Sequence, residues 1–115
     1  MSKVKEAVLA IFFTLFALST FAQTGSVRGR IIDAKTKKPL EFVNVSIRAT
    51  GTQTPLTGTV SDSTGVFRIN RVKNGTYTLT ASFIGYKSVE KEFTISPTAR
   101  NVNVKNILLE EDSQV

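Results

Sequence analysis

The chain has 115 residues, enough for one domain with a modest core, and contains no cysteine, histidine or tryptophan. Those absences exclude imidazole acid–base catalysis, thiol nucleophiles, disulfide staples and the common His/Cys zinc sites. The formal charge is +6, and without Lys3, Lys5 and Glu6 there remain 13 basic and 8 acidic residues, scattered along the chain rather than gathered into the basic, aromatic-studded face that reads nucleic acid.

Met1 to Lys5 carry two lysines, Ala7 to Leu18 form an apolar run, and Thr20-Phe21-Ala22 places small residues at −3 and −1 before Gln23. This pattern predicts a secretory signal peptide over residues 1–22, cut after Ala22. The rival reading is an uncleaved anchor, but the apolar stretch falls short of the ~20 residues that a spanning helix requires. The exported segment, having no cysteine, must stand on its apolar core alone.

After residue 22 the chain reads as strand and turn throughout. Val27, Gly29 and Ile31 alternate with Arg28, Arg30 and Ile32, which predicts a strand over 26–33 with a bulge or close backbone approach at Gly29. Residues 34–39 form a solvated turn. Val43, Val45 and Ile47 share one face of a second strand over 41–49, residues 50–56 form a loop, and residues 57–61 a short third strand. Asp62-Ser63-Thr64-Gly65 is a turn with a mechanism, because Asp accepts from backbone two residues on and Gly takes positive φ without steric cost. Phe67 and Ile69 then alternate with Arg68 and Asn70. Asn74-Gly75 is the dipeptide of a two-residue type I′ hairpin, after which Tyr77, Leu79, Ala81 and Phe83 oppose Thr76, Thr78, Thr80 and Ser82. Another strand is expected over 86–95, Pro97 breaks it, and Val102, Val104 and residues 107–109 supply the last. Seven strands with regularly spaced turns predict an all-β, Greek-key sandwich.

These residues also carry a resemblance. Val27-Arg28-Gly29-Arg30-Ile31-Ile32-Asp33, Lys38-Pro39-Leu40-Glu41-Phe42-Val43-Asn44-Val45-Ser46-Ile47, Gly58 to Phe67 and Phe83-Ile84-Gly85-Tyr86 together resemble the carboxypeptidase regulatory-like domain over residues 25–110. The resemblance implies a seven-stranded, transthyretin-like (prealbumin-like) sandwich. It also implies a setting, since such domains often follow the signal peptide of TonB-dependent outer-membrane receptors, ahead of a plug and a barrel. On that reading residues 23–110 are the domain and the acidic residues 111–115 its tail or the start of a linker. The partners are then the plug and barrel of the same receptor and the TonB energy-coupling system, at the periplasmic face of the outer membrane. The mature domain itself would not insert into a membrane.

No catalytic, cofactor-binding or metal set emerges. Asp33, Glu41 and Asp62 are the carboxylates an acid–base pair would need, yet Asp33 and Asp62 read as turn residues and Glu41 as a surface charge at a strand start. Transthyretin-like hydrolases that open a purine-derived ring share the implied fold but depend on histidines, so their activity does not carry over. Asp62, Ser63 and Thr64 offer too few carboxylates for calcium, which takes six to eight oxygens. Asn44-Val45-Ser46 and Asn74-Gly75-Thr76 match the N-glycosylation pattern but have ordinary strand and turn readings. Asp62-Ser63-Thr64 resembles an O-glycan acceptor of some Gram-negative anaerobes, with Ser63 the acceptor, and the turn accounts for the same residues. Phe42 and Tyr86 are the aromatics that would stack on sugar if the chain were instead a free-standing adhesion or glycan-binding module. Asp62, Gly65, Asn74 and Gly75 are read as structural turn residues.

Overall fold

The computed structural model describes Val4 and residues 24–112; the expected signal peptide, Val4 apart, lies outside the described residues. Seven strands follow one another: β1 (Thr24–Asp33), β2 (Asn44–Ala49), β3 (Thr57–Val60), β4 (Val66–Lys73), β5 (Gly75–Ser82), β6 (Val89–Ile95) and β7 (Asn101–Leu109). They form two sheets, ordered β4-β1-β7 and β3-β2-β5-β6. All pairings are antiparallel except β1 with β7. Because β5 returns to lie beside β2 after β3 and β4 have intervened, the connection is of Greek-key type.

The core lies between the sheets, where alternation along each strand delivers one apolar face. Val27 and Ile31 of β1 and Phe67 and Ile69 of β4 meet Val45 and Ile47 of β2 and Leu79 and Ala81 of β5, all of them buried. Tyr77 stacks on Phe93 with ring centroids 5.5 Å apart.

The three-stranded sheet is irregular in a way that the sequence pattern hides. Opposite β1, strand β4 carries an extra residue at Arg71, whose φ of 59° is left-handed, and β7 carries one at Lys105, with φ 63°. Each bulge shifts the inward face by one residue, from Phe67 and Ile69 to Val72 and from Val104 to Ile107. Gly29, predicted to mark a bulge or close approach, sits across from the Lys105 bulge, where an added Cβ would lie 2.7 Å from both the Phe67 ring and a Val104 methyl.

Three expectations are corrected. Asn74-Gly75 does not close a hairpin, because β4 belongs to one sheet and β5 to the other. A type I′ turn needs left-handed φ at both central residues, whereas Asn74 is not among the positive-φ residues and Gly75, at 155°, is nearly extended. The chain instead crosses between sheets there, and the crossing is tied by the Tyr77 hydroxyl, which donates to the Lys73 carbonyl at 2.6 Å. Strand β2 begins at Asn44 rather than residue 41, because Phe42 adopts φ 62° and breaks the extended backbone. Likewise β6 begins at Val89 rather than residue 86, after a turn in which Gly85 has φ 87°.

Candidate functional site

The parallel pairing of β1 and β7 fixes the polarity of the molecule. Ser26 pairs with Asn101 at one end and Asp33 with Leu109 at the other, so the chain enters the sandwich at one end and leaves at the opposite one. Ten residues of extended strand separate the two by roughly 30 Å. The β1–β2, β3–β4 and β5–β6 connections gather at the exit end, and they bring together nearly every residue singled out from the sequence except Asn74 and Gly75.

At that end Asp33 is buried and fully engaged. One carboxylate oxygen accepts from the backbone N–H groups of Lys35 (2.8 Å) and Thr36 (3.0 Å), and the other from the Tyr86 hydroxyl at 2.7 Å. The Thr36 amide, then the Tyr86 hydroxyl and the Lys35 amide, hold the Asp33 carboxyl below its ordinary value. Conversely, donation to Asp33 is the main reason the Tyr86 phenol is pushed up to about 12. The Tyr86 ring packs against the core and tilts onto Phe83 at 5.8 Å, so Tyr86 is a half-buried strut rather than an open stacking platform.

Residues after β7 join this strut. Lys87 N–H donates to the Glu110 carbonyl, Asp112 N–H to the Gly85 carbonyl, and Tyr86 bridges to Glu111. The acidic segment expected as tail or linker is therefore seated on the β5–β6 turn through residue 112.

The Asp62 turn forms as expected. Asp62 Oδ1 accepts from the Thr64 hydroxyl (2.7 Å) and from the N–H groups of Thr64 (2.9 Å) and Val66 (3.0 Å). These bonds, the Thr64 hydroxyl first, hold the Asp62 carboxyl below its ordinary value. Gly65 has φ 80°, and an added Cβ would overlap the Ile31 carbonyl oxygen. Ser63 is exposed at the tip. Beside the turn, Ser61 performs a task its sequence context does not announce. Only 1% exposed, its hydroxyl donates to the Leu40 carbonyl (2.6 Å) and accepts from Val43 N–H (2.9 Å), satisfying the backbone where β2 has not yet begun.

The two most exposed large apolar side chains at this end are Phe42, at 68%, and Ile84, at 94% exposure. Each lies two residues beyond the last β2–β5 pair, Asn44 with Ser82, so they flank the same corner of the sandwich. Phe42 is also held in a left-handed conformation that a bulky residue rarely adopts. Sequence patterning assigns Ile84 no role; its exposure follows from the turn closed by Tyr86 N–H donating to the Phe83 carbonyl. Glu41 is exposed in the loop before Phe42, and no group of three or more metal-ligating side chains occurs among the described residues.

Seven strands in this order, with first and last parallel neighbours, define a transthyretin-like β-sandwich. Residues 27–115 match the CarboxypepD_reg-like domain, and the chain belongs to that family. No curated protein matches it. Among solved structures it is similar to the group B streptococcus pilus 2b backbone protein (17% identity, TM-score 0.63, 79% of this chain and 42% of that one). It is also similar to the shaft pilin SpaA of Lactobacillus rhamnosus GG (20% identity, TM-score 0.61, 80% and 49%). A third similarity is to the 5-hydroxyisourate hydrolase of Klebsiella pneumoniae (21% identity, TM-score 0.56, 78% and 90%). The chain thus spans less than half the length of those pilin structures.

Proposed function

We propose that this domain is a non-enzymatic interaction and spacing module, exported to the periplasm and placed at the N-terminus of a TonB-dependent outer-membrane receptor. The observation that carries the reading is the two-ended build: the chain enters at one end, leaves at the other, and its exit is seated by Tyr86, Asp33 and the Glu110–Asp112 segment. A module of this kind transmits position rather than chemistry. Phe42 and Ile84, uncovered beside the exit, are the surface offered to the plug, the barrel or the energy-coupling protein. Although the hydrolase of Klebsiella pneumoniae shares the fold, this chain has no histidine with which to perform imidazole chemistry.

The likeness to pilin domains and the exposure of Phe42 favour a second reading, a free-standing adhesion or glycan-binding module in which Phe42 stacks on sugar and Ser63 is an O-glycan acceptor. One experiment separates the two. With residues 25–110 deleted from the parent reading frame, the barrel should still insert, since barrel hydrogen bonding closes on itself, while substrate uptake should fall. Unchanged uptake, together with saturable sugar binding by the isolated domain that Phe42→Ala abolishes, would overturn the receptor reading.

A further inference from the structure

The outward face of the β4-β1-β7 sheet is built unlike the rest of the surface. Arg28 and Arg30 of β1, Arg68 of β4 and Lys105 in the β7 bulge are all exposed there. The only carboxylate on the three strands is that of Asp33, which is buried and engaged by Tyr86. Arg28 and Arg68 are direct cross-strand partners, a like-charge pairing that works against the sheet. On the other sheet, by contrast, Arg48 meets Glu90 at 3.1 Å.

The groups on this face are also held ready to donate. Arg30 Nε donates to the Thr64 carbonyl at 3.0 Å, which fixes the guanidinium and leaves both NH2 groups for a ligand. Asn103 Oδ1 accepts from Lys105 N–H at 2.8 Å, which leaves its NH2 group to donate outward. Between them runs a shallow groove of about 420 Å³ lined by Arg28, Arg30, Val66, Asn103, Lys105 and Asn106. Val66 and Leu108 add partly exposed aliphatic surface to the same side.

We propose that this face docks the domain on an anionic phospholipid surface, with Arg28, Arg30, Arg68 and Lys105 meeting lipid phosphates. The cations are spread over three strands along a shallow groove rather than converging in a deep cleft, which suits a broad surface as partner. Aliphatic side chains stand among them, as at surfaces that rest on the headgroup boundary. No carboxylate is present to select the basic groups that a folded protein partner would offer as well as acidic ones. The assignment stands apart from the receptor reading, since binding to vesicles neither requires nor tests a parent barrel.

Residues 24–112, which contain the buried core, are mixed with vesicles of phosphatidylcholine and phosphatidylglycerol in equal parts, or of phosphatidylcholine alone, and sedimented. Binding is expected to the anionic vesicles only, and to vanish in molar salt, where charge interactions reach only about 3 Å. At about fivefold per cation, Arg28→Gln with Arg68→Gln should weaken partitioning about 25-fold. The same variant should melt no lower than the parent, because a like-charge pair has been relieved. Lys37→Gln with Lys87→Gln removes equal charge from the β1–β2 and β5–β6 loops, off this sheet face, and should retain most of the binding. Equal losses in the two double variants, equal binding to neutral vesicles, or no binding at low salt would overturn the proposal. So would Arg28- and Arg68-dependent capture of a polyglutamate peptide without capture of vesicles, which would assign the face to an acidic protein partner.

Discussion

The two sheets of this sandwich reach the same core by different means. The four-stranded sheet is regular: its ladders run without register shifts, and Thr76, Thr78 and Thr80 stand on its outer side, Thr76 near Thr94 and Thr80 accepting from Arg48. The three-stranded sheet is notched at Gly29 and bulged at Arg71 and Lys105, and its outer side carries like charge. Regularity in one sheet makes it a platform, while the bulges of the other re-aim side chains across its surface. The contrast teaches that one alternating pattern in sequence can serve two tasks, and that the departures from alternation mark the sheet with the more particular surface.

The contrast is tested most severely where the irregular sheet meets the core. Phe67→Ala should cost about 3 to 5 kcal/mol in urea melts, since the ring fills the space left by Gly29. Gly29→Ala should cost about 1 to 3 kcal/mol by overpacking against Phe67 and Val104. If Gly29→Ala were neutral, the notch would not be the feature that sets this sheet apart. Gly65→Val should exceed the ~1 to 2 kcal/mol of a left-handed L-residue, because its side chain also meets the Ile31 carbonyl.

How far this contrast was legible in sequence depends on range. Alternation gave the strands of the regular sheet, and the Asp62 turn followed from local chemistry over four residues. In the irregular sheet the alternating pattern runs true to Ile69 and then slips at Arg71, since a bulge is set by pairing with β1, some forty positions earlier, and not by local composition. The Asn74-Gly75 dipeptide shows the same limit: it reports what backbone angles are accessible, not which sheet the next strand will join. In the candidate site, Phe42 and Tyr86 stood out as aromatics, but Tyr86 meets Asp33 across a separation of 53 residues, so its role as a strut was invisible. Ser61 and Ile84 were missed because a buried serine and an exposed isoleucine are defined by what surrounds them in the fold.

Smaller effects sharpen the comparison at the junction of the sheets. Ser61→Ala should cost about 1 to 3 kcal/mol by leaving Leu40 carbonyl and Val43 N–H without partners in the interior. The Asp33–Tyr86 pair makes stability depend on pH in two windows. Asp33 has a depressed folded-state pKa, so its contribution is present above the ordinary carboxylate value and is lost as pH falls below about 4. Tyr86 has a raised one, so its contribution is present below pH 10 and is lost as pH rises towards about 12. Tyr86→Phe should flatten the alkaline limb of the melting profile; an unchanged limb would mean that Tyr86 does not report on this bond. At the surface, Arg68→Ala and Thr78→Ala should each stay within about 0.5 kcal/mol of the parent.

The two-ended build, with a seated exit, is open to a direct distance measurement. The cysteine-free chain accepts spin labels at Thr24→Cys and Glu111→Cys without competing thiols. Pulsed electron–electron resonance on this pair should give one narrow distribution centred near 30 Å, at about 3.3 Å per strand residue along β1, and Tyr86→Phe should broaden it. A distance well below that value, or a distribution equally broad with and without the Tyr86 hydroxyl, would contradict a spacer whose exit is held by the Asp33–Tyr86 strut.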